Sequence, residues 1–282
     1  MAKPKTRTDR TAKPRFDVTA IAAIPAGIGL ILFGQAIEGG AVGSLMQVAA
    51  ALIVFGGTAG AVLLSFSTAQ VLQSMKALRN VFVEPLEPAA DVIKRIMSYA
   101  AKARRTGVMT IEEDVNTEPD PFLRRGLSMA VDGSSQSQIR ATLEFEIDSI
   151  SERDGVPPRV FEAAGGYSPT IGIIGAVLGL IHVMENLSDP SKLGPGIATA
   201  FVATVYGVGL ANLILLPIAG KMRERGRAAA RRREMLLDGV VAIQEGLNPR
   251  LLEQRMLTFA PDAIKEQSKK GAPLGIPSRE RS

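Results

Sequence analysis

The chain is 282 residues long and has no cysteine, no tryptophan and one histidine, His182. Without cysteine there is no disulfide framework, no thiolate nucleophile and no cysteine-ligated zinc or iron–sulfur cluster. One histidine rules out a His-rich metal site and leaves a Ser-His-Asp triad a single candidate. The phosphate loops G-x-G-x-x-G and G-x-x-x-x-G-K are missing, as are G-x-S-x-G and H-E-x-x-H. An enzyme is therefore not expected, nor is a cofactor or a bound metal. Charged residues make up 22% of the chain, yet long stretches contain none. A net charge of +5 suits nucleic acid or an anionic membrane surface, and the charge-free stretches decide for the membrane.

Four such stretches occur: Val18–Ile37, 39–75, 163–184 and 193–220. About 20 apolar residues at a rise of 1.5 Å cross a hydrocarbon core of about 30 Å. The pattern predicts four membrane-spanning helices, near 18–37, 44–66, 166–187 and 197–219. Core helices of a soluble protein rarely run so long without charge on any face. The first stretch also exceeds the apolar core of a signal peptide, so it reads as a span rather than a cleaved leader.

Lysine and arginine set the expected orientation. Of the 33 in the chain, 32 lie in the N-terminal tail, in 76–162 or in 221–282, and only Lys192 lies in a short connection between spans. Both termini and the central segment are expected to be cytoplasmic, with the two short connections outside. The chain then divides into a basic tail (1–17), a first membrane hairpin (18–75), a cytoplasmic helical segment (76–162), a second membrane hairpin (163–220), a basic helix (221–260) and a disordered tail (261–282). Within the central segment, Ala89–Thr106, 119–133 and 134–153 read as helices. Ile139, Leu143, Ile147 and Ile150 form an apolar stripe. The basic helix is expected to break near 246–249. The fold class is all-α.

The charge-free stretches at the heart of the spans hold no Asp or Glu. A transporter using its own membrane carboxylate would show one, so any titrating group would come from another chain. Gly56-x-x-x-Gly60 and Gly175-x-x-x-Gly179 have the spacing that lets helix backbones approach closely, either between subunits or within one. Pro169 and Pro217 fall near the same membrane face on antiparallel helices. They suit a hinge, although Pro169 could also simply start a helix. Thr204 places a hydroxyl in an apolar span, where it either back-bonds to its own helix or serves a passing ion. His182 sits at the outer end of the third span, as an interfacial side chain or a proton entry point.

The stretch from Gly166 through Tyr167, Ser168, Pro169 and the glycines 172, 175 and 179 to His182 carries a family resemblance. So do Leu193 to Gly207 and Asn212 to Pro217. Together they resemble the MotA/PomA family of flagellar stator subunits over about residues 18–255. The wider family includes ExbB and TolQ, whose members typically have three spans and an outside N-terminus.

The resemblance implies a homo-pentamer around MotB-type helices, each supplying one membrane Asp, and a cytoplasmic domain that pushes the rotor protein FliG. Under it, Pro169 and Pro217 are the two functional prolines and Thr204 is the threonine facing the partner's Asp. Ala176 stands where sodium-type members tend to carry a hydroxyl, which leans the expectation toward protons. Arg104, Glu112 and Glu146 match rotor-facing charges; without the resemblance each would read as a solvated surface charge. The alternatives are an ExbB/TolQ-like channel subunit energising envelope transport and a sodium-driven PomA-like stator. A static scaffold or nucleic-acid tether built on the basic run 221–233 is also conceivable. That run reads more simply as a topology signal and a contact for membrane lipid, so no nucleic-acid partner is expected.

Overall fold

The computed structural model describes residues 15–84 and 87–259. In chain order, strand β1 (Arg15–Phe16) leads into α1 (Val18–Ile37) and a 3-10 turn at Val42–Leu45. The second span is α2 (Val48–Ala51), a π-helical turn at Leu52–Gly56 and α3 (Gly57–Ser65). It is followed by α4 (Thr68–Ala77), α5 (Arg79–Phe82) and strand β2 (Val83–Glu84). Next come α6 (Ala89–Thr106), a 3-10 turn at Val108–Ile111, α7 (Glu112–Asn116), α8 (Pro121–Val131) and α9 (Gln136–Asp154). The chain continues as α10 (Val156–Glu185), α11 (Pro190–Gly209), a second π-helical turn at Leu210–Leu215, α12 (Leu216–Gln244) and α13 (Pro249–Phe259). The fold is all-α, apart from the two-residue antiparallel pairing of β1 with β2. The tails 1–14 and 260–282, which include the segment expected to be disordered, lie outside the described residues.

Four helical stretches are long and apolar enough to cross a membrane. The first, Val18–Ile37, coincides with its expected limits and starts on Asp17, whose carboxylate accepts from the Ala20 N–H at 3.0 Å. The third starts ten residues earlier than expected. Pro157 and Pro158 occupy its first turn, where a missing N–H costs nothing, so they open the helix instead of breaking it. The fourth starts at Pro190, seven residues before its expected limit, and runs on through Pro217 into the expected basic helix as far as Gln244, the π-helical turn before Pro217 letting the helix pass through the proline. It ends before Gly246, whose φ of +66° is cheap only for glycine, and α13 follows.

The described residues fall into two compact units. The first comprises 15–84 and 154–225 and contains the spans; the second comprises 87–153 and 226–259. In the first unit, α10 and α11 are antiparallel neighbours, with the second span packed on α10. By contrast, α1 buries no residue against the rest of the chain. The second unit has a conventional aliphatic core: Ile93, Ile96, Leu123, Leu127, Ile139, Leu143, Leu236, Ile243, Leu252 and Met256 are all fully buried. Burying each such side chain contributes about 1.5–3 kcal/mol. Ile139, Leu143 and Ile147 of the expected stripe are buried, and Ile150 is half-buried.

Candidate functional site

Small residues build the α10–α11 seam. A Cβ on Gly172 would stand 2.9 Å from the Ala203 carbonyl oxygen, and one on Gly207 would stand 2.7 Å from the Ser168 carbonyl oxygen. A Cβ on Gly175 would lie 2.7 Å from the Ala203 Cβ, and one on Gly179 would lie 2.8 Å from the Ala200 backbone nitrogen. At Gly172, Gly179 and Gly207 these are backbone-to-backbone approaches that leave no room for a side chain, and at Gly175 the neighbour is the Ala203 methyl. Ser168, fully buried, locks the seam by donating its hydroxyl to the Gly207 carbonyl at 3.0 Å. Gly172, Gly175, Gly179 and Gly207 thus serve packing within the chain, whereas Gly56 and Gly60 meet nothing within 4 Å.

The in-span candidates sit along this seam. Pro169 is half-buried in the interior of α10, thirteen residues past its start, so it is not a helix-opening proline. It removes the donor that would pair with the Gly165 carbonyl one turn back. Gly165 in turn packs on Leu216, the residue before Pro217: a Cβ there would lie 2.6 Å from Leu216 Cδ2. The two prolines therefore flank one contact. Pro217 is exposed and sits two residues past the end of the widened turn Leu210–Leu215. Ala176 and Thr204 each follow a partner of the Gly175–Ala203 contact, and both are half-buried. The Thr204 hydroxyl donates at 3.4 Å to the Ala200 carbonyl, so it back-bonds to its own helix. His182 is exposed at the end of α10.

An ion belt borders the same unit. Asp17 pairs with Lys221 and lies 3.6 Å from Arg225. Arg225 also donates to the Val83 carbonyl at 2.5 Å, and Arg223 pairs with Glu162. The Lys221 ammonium, helped by the Thr19 hydroxyl, holds the Asp17 carboxyl well below the usual carboxylate range. The basic run expected from sequence is thus spent partly on bonds within the chain.

In the second unit, α6 and α7 form a hairpin turned at Gly107, whose φ of +95° suits glycine alone. Lys102 and Asp114 staple its arms at 2.6 Å. Arg104, at the end of α6, and Glu112, at the start of α7, are both exposed, with no ion pair among the described residues. Glu146 differs: it is only 19% exposed along its side chain and pairs with Arg125 at 2.9 Å, tying α9 to α8.

Sequence reasoning missed the group that anchors the hairpin. Glu118 is 1% exposed, accepts the Tyr99 hydroxyl at 2.7 Å and the Asp120 N–H at 3.0 Å, and lies 3.2 Å from Arg95 Nε. Arg95 is also bidentate to Glu87, and Arg232 reaches Glu87 and Asp120. Burial and the bond to Glu118 push the Tyr99 hydroxyl above its ordinary range. Nothing in the stretch from Thr117 to Asp120 marks one acid as buried.

Among the described residues, no group of three or more His, Asp or Glu could hold a metal. Residues 114–235 match the model of the MotA/TolQ/ExbB proton channel family. The chain is 33% identical over 248 residues to the uncharacterized protein YtxD of Bacillus subtilis (strain 168), across 87% of this chain and 91% of YtxD. It is 32% identical over 246 residues to motility protein A of the same organism, across 87% of this chain and 91% of that protein. Its fold superposes on the flagellar MotAB stator complex from Bacillus subtilis with a TM-score of 0.82 at 31% identity, covering 90% of this chain and 100% of that one. These likenesses, together with four helical stretches long and apolar enough to cross a membrane, make this chain a multi-pass membrane subunit that belongs to the MotA/TolQ/ExbB proton channel family.

Proposed function

We propose that this chain is the torque-generating subunit of a flagellar stator. It works with a MotB-type partner that brings the titrating membrane Asp, and it pushes the rotor protein FliG. The observation that carries this reading is the pairing of a tightly packed glycine seam with charge-free stretches, 163–184 and 193–220, that bring no Asp or Glu to it: a channel wall that lacks its own proton carrier. The subunits form a homo-pentamer around the partner helices, with both termini and the α6–α9 segment cytoplasmic, as the 32-to-1 distribution of Lys and Arg indicates. Anionic lipid contacts the basic helix near Lys221.

In this reading protonation of the partner's Asp is felt at the Ala176 and Thr204 level of the seam. The α10–α12 contact between Pro169 and Pro217 bends in response. Arg104 and Glu112 are the charges presented to the rotor. Glu146 supports that surface through Arg125. Protons suit the site better than sodium, because a proton hops to a carboxylate while sodium needs a cage of oxygen ligands. Ala176 offers no oxygen, and the Thr204 hydroxyl is already engaged.

The test is rotation of tethered cells lacking the chain, with complementation, a protonophore and varied sodium. Rotation that returns on complementation and collapses with the protonophore at every sodium level supports a proton-driven stator. Dependence on sodium instead would make it a sodium-type stator. Normal rotation without the chain, with impaired envelope uptake, would favour the transport-energising relatives.

A further inference from the structure

In the second unit, α9 and α12 line a cleft of about 410 Å³ whose wall also includes Phe259, at the end of α13. Four carboxylates, Glu144, Asp148, Glu234 and Asp238, line it against a single guanidinium, Arg140. Arg140 lies 3.5 Å from Glu144. Asp148 and Glu234 are exposed, with no ion pair among the described residues. Asp238 is 7% exposed: its Oδ1 accepts from Arg255, but its buried Oδ2 has no hydrogen-bond partner. A buried carboxylate oxygen left unpaired is costly, and a cationic donor in this cleft would relieve it.

The chain supplies such a donor next to the cleft. Residues 260–282, outside the described residues, leave directly from Phe259 and carry five basic and three acidic side chains. Lys265, Lys269 and Lys270 all fall within eleven residues of Phe259. At about 3.3–3.6 Å per extended residue, even Lys265 has about 20 Å of reach, further than a compact cleft of this volume extends. Attachment also favours this occupant over any free one. A segment tethered to the wall of its own site meets it at an effective concentration on the order of millimolar, so ion pairs too weak to hold a separate partner suffice.

We propose that the acidic α9–α12 cleft is the docking surface for the chain's own C-terminal segment, with Lys265, Lys269 and Lys270 answering Asp148, Glu234 and Asp238. The docking is held by charge, so it is reversible and sensitive to salt. It is independent of the stator reading, since it concerns only the second unit and the segment that follows α13.

The test exploits the absence of native cysteine: Arg140→Cys and Ser268→Cys create the only thiols in the chain and keep every carboxylate and lysine. Mild oxidation of the full-length chain, purified in detergent, should form a disulfide within one chain, which runs as a monomer on a denaturing gel. Raising salt from 0.1 to 1 M shortens the screening length from about 10 to 3 Å. That should slow the cross-link roughly fivefold, the combined effect of a few exposed ion pairs. Asp148→Lys with Glu234→Lys should slow it as much, and adding Lys265→Glu, Lys269→Glu and Lys270→Glu should restore it. If the reversed chains do not fold, as read by melting, the salt series on the cysteine pair decides. A disulfide between chains would give the cleft to a second copy and overturn the proposal. So would no disulfide, one indifferent to salt, or a folded double reversal that the tail reversal fails to rescue.

Discussion

At the crossing of α10 and α11 the residues that touch are Gly172, Gly207, Gly175 and Ala203. In the core of the other unit they are Ile93, Ile96, Leu123, Leu127 and Leu143. The difference reflects two solvents. In lipid, large apolar side chains gain nothing by leaving the surroundings, so association comes from close backbone approach and a few hydrogen bonds, such as Ser168 to Gly207. In water, burying large aliphatic side chains is itself the driving force. The second unit can therefore also carry buried charge, provided each charge is paired, as Glu118 is with Arg95.

The comparison can be broken at its strongest point first. Glu118→Ala leaves Arg95 and Tyr99 without their buried acceptor and should cost about 3–5 kcal/mol. Thermal melting of the purified complex would read this as loss of the second unit's folding, and near-parental melting would mean the network is ornamental. Next, Gly172→Ala places a methyl against the Ala203 carbonyl and should cost about 1–3 kcal/mol, seen as reduced yield and earlier melting in detergent. A tolerated alanine there would show that the seam is looser than its geometry implies.

Weaker still is the acid response of Asp17. Its folded-state pKa is depressed, so the Lys221 pair contributes stability above the ordinary carboxylate value near ~4. That contribution is lost only as pH falls through the lower folded-state value. Asp17→Asn should therefore lower melting at neutral pH, and the gap to the parent should close only in strong acid. A gap that closes near neutrality would mean the pair is not what holds Asp17. Last, Arg104→Glu should shift stability by under about 0.5 kcal/mol, as an exposed site does, while impairing rotation and sparing proton leak. An altered leak would place Arg104 in the ion path.

Much of this architecture was legible in the sequence, for reasons specific to each element. The limits of α1 and α6 are written by Asp17 and Ile37, and by Pro88 and Gly107, because caps and charge edges coincide with helix ends there. The third and fourth spans start before their expected limits because a helix need not begin where the membrane does. Pro157 and Pro158 look like breaks until their place in a first turn is seen. Pro169, Pro217, Thr204 and Ala176 could be singled out because the motifs that carry the family resemblance contain them or lie beside them, and the structure places them near the α10–α11 and α10–α12 contacts. Ser168 and Glu118 were not: a serine or a glutamate declares its partner only once long-range packing has placed it.

The Gly172–Gly207 crossing also has a consequence for motion. Glycine and alanine have no rotamers to lose, so contacts between them order no side chains when they form. A helix sliding along such a seam does not wait for side chains to change rotamer, and it meets no knob that must climb out of a hole. The contact that makes α10 and α11 hardest to separate is therefore also one that offers little friction along its length, nearer to a bearing than to a lock.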